Sequence, residues 1–222
     1  KGSASKFWYK FKTSMTNQKI KIIDTGLGNI SSISKSIQFL NFEYEIINNP
    51  SLIEEDCKII FPGVGSFSHA MKVLNAKGWT KSLQYQVLEK KKMFLGICLG
   101  MQLMATNGYE NNIKCEGLNF INSEVVSLKK LGCKLKVPHT GWNAINIIKK
   151  NEIFNDISQE SDFYFNHSYA VIPRDKDLVL STTIHEIEFA SIINFKNIYG
   201  MQFHPEKSSE AGKTLLKNFL SL

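Results

Sequence analysis

The stretch Phe94 to Gln102, FLGICLGMQ, decides how the rest of the chain is read. An apolar run ends, one cysteine stands between two glycines, and a helical pattern begins. Two accounts compete for that cysteine. One is a small buried thiol at a tight turn, since free cysteine is among the most buried residue types. The other is a nucleophile held on the turn, the arrangement called a nucleophile elbow when serine is at its centre. Flanking glycines permit a strained turn without Cβ clashes, and a helix N-terminus favours a thiolate. The same turn leaves the Leu99 N–H free to face a developing oxyanion.

A thiolate nucleophile needs a base, and the chain has five histidines. His69 and His185 have no supporting pattern and read as surface or satisfied core groups. His204 is different: in GMQFHPEKSS it follows an apolar run, and Pro205 restricts the backbone where it emerges. Glu206, two residues on, reaches the same side of an extended segment and can orient the imidazole. Alone, HPE reads equally well as a plain loop after a strand. Together with the cysteine elbow it supplies a nucleophile, a base and an orienting carboxylate.

Composition sets the outer bounds. The 222 residues are 43% hydrophobic and 21% charged, enough to bury one large core. No segment approaches the roughly 20 apolar residues of a membrane-spanning helix. Cys57, Cys98, Cys115 and Cys133 form no CxxC pair and no zinc-like Cys/His cluster, which favours free thiols and a reducing, cytoplasmic setting. Residues 1–14, KGSASKFWYKFKTS, carry four lysines and no acid; they read as a leader or added tail before a single domain over 15–222. A membrane-touching arm at FWYKFK is the other reading of that segment. Without the four lysines the formal charge falls from +7 to +3, too small for a nucleic-acid footprint.

The remainder alternates apolar runs with amphipathic stretches, which predicts an α/β fold with a central, mostly parallel sheet flanked by helices. KIKIIDTG (19–26), YEIINN, CKIIFPG and KKMFLGIC read as four strands. NISSISKSIQFLN (29–41) reads as a helix with Ile33, Ile37 and Leu40 on one face, and a long helix runs through AMKVLN and SLQYQVLEK. Beyond residue 120 closely spaced apolar segments predict an added β-rich region in the C-terminal half, and EAGKTLLKNFLSL closes the chain as a helix.

GICLGMQ together with QFHPEKSS resembles the class I, or triad, glutamine amidotransferases, which hydrolyse glutamine and pass ammonia to a partner site. Within that class DTGLGNISSISKSI, FPGVGSFSHAM, PHTGWN and YFNHSY are similar to the glutaminase subunits of imidazole glycerol phosphate synthases, in order over essentially all of residues 20–222. The resemblance implies Cys98 as nucleophile, His204 as acid and base, and Glu206 as its orienting group. It implies an oxyanion hole from Leu99 with Val64 or Gly65, whose amide starts turned away. It implies substrate contacts from Gln102, Glu110, His167, Ser168 and Tyr169. Asn29, Trp142, Asn143 and Lys207 match positions facing a (β/α)8-barrel cyclase. That partner would use the ammonia to make imidazole glycerol phosphate and AICAR in histidine biosynthesis. No metal or organic cofactor is implied.

Thr25, Leu27, Thr140 and Ala170 depart from the family's common residues. They leave open a related glutaminase subunit feeding a synthase that makes amidated surface sugars. A non-catalytic docking subunit and a cysteine peptidase are the alternatives from other classes. The first is disfavoured by the complete Cys, His and Glu set, the second by the PGVG, HSY and HPEKSS combination.

Overall fold

The apolar runs early in the chain become strands because they are short, rich in isoleucine and bounded by turn residues. In the computed structural model, which describes residues 18–110 and 113–222, they are β1 (Lys19–Ile23), β2 (Tyr44–Ile47), β3 (Cys57–Gly63) and β4 (Phe94–Cys98). Then follow β5 (Ala105–Glu110), β6 (Ile113–Glu116), β7 (Ile121–Ser127), β8 (His139–Ala144) and β9 (Asn146–Ile147). The rest are β10 (Asp162–His167), β11 (Tyr169–Pro173), β12 (Val179–His185), β13 (Ile187–Phe195) and β14 (Ile198–Met201). Helices are α1 (Ile30–Phe39), α2 (Phe67–Ala76), α3 (Trp79–Gln84), α4 (Leu99–Leu103) and α5 (Ser209–Ser221).

The central sheet has eight strands in the order β2-β1-β3-β4-β14-β13-β12-β9. From β2 to β14 the pairing is parallel, and from β14 to β9 it is antiparallel. Alternation along β3 shows how the layers form: Ile59 and Phe61 enter one apolar core with α2 and α3, while Ile60 enters the other with α1 and α5. A parallel strand covered on both faces reads as a continuous apolar run, which is why CKIIF shows no polar alternation beyond Lys58. Phe94, Leu95 and Ile97 of β4 are fully buried, each contributing about 1.5–3 kcal/mol relative to exposure.

Three details differ from the sequence expectation. The long helix is broken, because Gly78 adopts φ 74° between α2 and α3, and α3 ends in a π turn over Tyr85–Glu89. Extra β structure starts at Ala105, before residue 120: β11-β7-β5-β6 form a separate four-stranded sheet and β8 pairs with β10. The helix after Cys98 is only five residues long, so Cys98 gains the N–H groups of one short turn and not a long macrodipole. The expectations for residues 1–14 and for FWYKFK lie outside the described residues. No described helix is long and apolar enough to cross a membrane.

Candidate active site

Register places the chemistry. Cys98 is the last residue of β4, at the carboxyl edge of the parallel strands, where open α/β sheets hold ligands. On one side Gly63 of β3 is its ladder partner, so Val64 and Gly65 emerge beside it. On the other side Met201 of β14 pairs with Ile97, so Gln202 and His204 emerge there. Two sequence-distant segments therefore flank one sulfur.

Cys98 itself takes the strain of the elbow, at φ 53° and ψ −107°, a conformation costing a non-glycine residue on the order of 1–3 kcal/mol. The flanking glycines serve close packing. A Cβ on Gly100 would lie 1.9 Å from the Phe61 carbonyl oxygen, and one on Gly96 would lie 2.5 Å from that of Gly100. The glycines let the turn press against β3, and the unusual backbone falls on the cysteine. The four cysteines are free thiols, and Cys98 is 5% exposed.

His204 Nδ1 bonds a Glu206 carboxylate oxygen at 2.9 Å. A carboxylate only accepts, so Nδ1 carries the proton and the lone pair of the neutral imidazole sits on Nε2. Both side chains are nearly inaccessible. Burial pulls the imidazole pKa down, but the nearby Cys98 sulfur and the Glu206 carboxylate outweigh it and push it up to about 10. Nε2 is buried with no hydrogen-bond partner. The second Glu206 oxygen is likewise unpaired.

A cavity of about 280 Å³ opens over the sulfur, slightly below the range of drug-sized sites and suited to a small molecule. Val64, Gly65, Cys98, Leu99 and Gln102 line one side; Asn166, His167, Ser168 and Tyr169 line the other. His167 is buried, donates its Nδ1–H to the Tyr169 carbonyl at 2.8 Å, and is held neutral with a pKa of about 3 chiefly by burial.

Several anticipated site residues are otherwise engaged. The Val64 N–H donates to the Leu27 carbonyl at 2.6 Å and so points away from the cavity, while Gly65 turns with φ 107°. Glu110 is not among the cavity's lining residues. Its carboxylate accepts from the Ser66 and Ser68 hydroxyls and from the Phe67 and Ser68 amides at the start of α2. Those bonds outweigh burial and hold its pKa below the ordinary value. Gln102 lines the cavity, but its amide nitrogen already donates to the Tyr169 carbonyl and to Gln202. Sequence reasoning passed over Gln202. Its signal was period-two alternation, since a residue two before His204 shares its side of an extended segment.

Of the positions read as facing a partner, Trp142 is 52% exposed and packs edge-on against Tyr164, whose ring also carries the Lys207 ammonium at 5.7 Å. Asn29 is exposed but caps α1 through Ser32, and Asn143 donates to the Ile184 carbonyl. Those two amides hold the fold's own backbone. His185 stacks on His139 and bonds the Lys136 carbonyl, and His69 is exposed. Among the described residues no group of His, Cys, Asp and Glu is arranged to hold a metal ion.

Comparison with known proteins adds an independent line. The sequence model described as glutamine amidotransferase class-I matches residues 21–222. The imidazole glycerol phosphate synthase subunit HisH 2 of Methanococcus maripaludis is 45% identical over 201 residues, covering 90% of this chain and 98% of that one. Subunit HisH 1 of Campylobacter jejuni serotype O:23/36 is 41% identical over 203 residues, covering 91% and 100%. The structure of PurLQS from Thermotoga maritima matches with TM-score 0.69 at 14% identity, covering 91% of this chain and 97% of that one. A glutamine amidotransferase from the same organism matches with TM-score 0.60 at 18% identity, covering 85% and 76%. At such identities the structural matches speak for the fold alone.

Proposed function

Because the chain belongs to the class I glutamine amidotransferases, we propose that it is the glutaminase subunit of an imidazole glycerol phosphate synthase and supplies ammonia for histidine biosynthesis. The observation that carries the catalytic part is the elbow cysteine at the end of β4 beside the buried His204–Glu206 pair. The relatives named HisH, matched over nearly their full lengths, support the assignment to that synthase.

In this reading Cys98 attacks the side-chain amide carbon of glutamine and forms a tetrahedral adduct. His204, charged while the thiolate is present, protonates the departing nitrogen as the C–N bond breaks, leaving a glutamyl thioester and ammonia. Neutral His204 then takes a proton from water as its oxygen attacks the thioester, and the sulfur leaves as thiolate. Glu206 fixes the tautomer that makes Nε2 the working nitrogen. The Leu99 N–H is one oxyanion donor, and Val64 or Gly65 supplies the second after the β3 end rotates. Asn166 to Tyr169 form the wall against the amino-acid end of the substrate.

The partner is a (β/α)8-barrel cyclase that receives the ammonia, and the Trp142, Tyr164 and Lys207 cluster supports a docking face beside the catalytic pair. With the Val64 amide bound to Leu27 the hole lacks a donor, which fits a glutaminase that works slowly until its partner is loaded. The test is glutamate release by the chain alone, with a histidine-pathway cyclase, and with that cyclase plus its nucleotide ligand. A large rise in the third condition supports the reading. No rise, from a folded chain whose Cys98 is alkylated by a glutamine analogue, overturns the assignment to this synthase and keeps the glutaminase.

A further inference from the structure

Gln202 is wholly inaccessible, and its side chain lies against the nucleophile. Its amide nitrogen is 3.8 Å from the Cys98 sulfur, within hydrogen-bond reach for sulfur. Which end of that amide faces the sulfur is fixed by a chain of partners. The Tyr169 carbonyl can only accept, so the Gln102 atom 3.0 Å from it is the NH2. The same NH2 lies 3.2 Å from Gln202, which must present its oxygen there. The Gln202 NH2 is thereby directed at Cys98, and a flipped amide would set two NH2 groups against each other.

Resting on the proposed glutaminase reading, we infer that Gln202 is a further catalytic residue, a neutral N–H donor that stabilises the Cys98 thiolate, with Gln102 as the positioning residue that fixes its orientation. The need for such a donor follows from the sulfur's other neighbours. The Asn166 carbonyl, also at 3.8 Å, accepts from a neutral S–H and repels a thiolate. His204 favours the thiolate only while it is charged, and it loses that charge on protonating ammonia. The sulfur is expelled from the thioester while His204 is only just regaining a proton from water. A donor whose charge never changes acts at both ends of the cycle, and an amide supplies it.

The test is the pH profile of iodoacetamide alkylation at Cys98 in the free chain, without glutamine or partner. A hydrogen bond to a charged group accounts for roughly 10- to 100-fold in equilibrium. Gln202→Met keeps the bulk, removes the donor and should move the alkylation midpoint up by about one pH unit or more. Gln102→Leu, which releases the anchor, should move it less. Mass spectrometry of Gln202→Met turning over glutamine with partner should show the glutamyl thioester accumulating. An unshifted midpoint in folded Gln202→Met overturns the inference; if that variant fails to fold, an unshifted midpoint in Gln102→Leu does so. Alkylation requires no glutamine, so failure of the glutaminase reading leaves parent activity absent with the midpoint shift intact.

Discussion

On the β14 side of Cys98, His204 is already bound to Glu206 at 2.9 Å and Gln202 already faces the sulfur; on the β3 side, the Val64 amide is bound to Leu27 at 2.6 Å and faces away. In the proposed mechanism the proton-handling half is assembled, and the oxyanion half is not. The difference follows from what each segment is tied to. His204 and Glu206 lie in a buried turn fixed by the Ser208 hydroxyl donating to the His204 carbonyl and by the His204 amide donating to Tyr164. Val64 and Gly65 are exposed, and one backbone bond to a loop sets their direction. A single exchanged hydrogen bond favours the turned-away arrangement by only about 1 kcal/mol net.

Cys98→Ala removes the proposed nucleophile that both halves serve, and glutamate release with partner should fall by on the order of a thousandfold or more, read by a coupled glutamate assay. Glu206→Gln keeps the shape and reverses the tautomer preference of His204; a loss of about a hundredfold or more in kcat, with KM little changed, is the expected split. Gly65→Ala strains a residue at φ 107° and should lower partner-stimulated turnover by about tenfold while leaving iodoacetamide alkylation of Cys98 as in the parent. If Gly65→Ala slows alkylation as much as turnover, the two halves are not separable.

Two smaller effects concern stability. The folded pKa of His204, about 10, lies above its ordinary 6.5. Its stabilisation is thus fully present below about pH 6.5 and is lost as pH rises towards 10. Thermal melts across that window should show the decline, and Cys98→Ala, which lacks the thiolate partner, should show an earlier and shallower one. Glu110→Ala removes the acceptor at the start of α2 and should cost about 1 kcal/mol by urea denaturation, with active-site alkylation unchanged. Full alkylation with altered KM would return Glu110 to the substrate site.

What could be read in advance depended on how local each signal was. Cys98, His204 and Glu206 were legible because a strand end, a proline and an i, i+2 spacing are short-range features. The oxyanion segment was legible only as a motif, since the direction of one peptide N–H is not a property of residue types. The bonds Glu110 makes to the start of α2 were not legible, because its spacing says nothing of that helix, which packs over it from 44 residues away. The polar strand ATNGYE carried too few apolar residues to announce β5, and its pairing with β7 and β6 supplies the stability that its own side chains do not.

Local signals in the sequence were enough to give the class of sheet and to single out Cys98, His204 and Glu206 as the candidate nucleophile and its companions. Apolar runs, glycines beside one cysteine and a proline after one histidine constrain the backbone wherever they occur. The fold sets the rest: the strain sits on Cys98 and not on its glycines, Gln202 turns its donor to the sulfur, and Val64 turns its own away. Those outcomes depend on which groups lie across a few ångströms of space between distant segments, and hydrogen-bond direction is settled by the partner present, not by the residue that carries it.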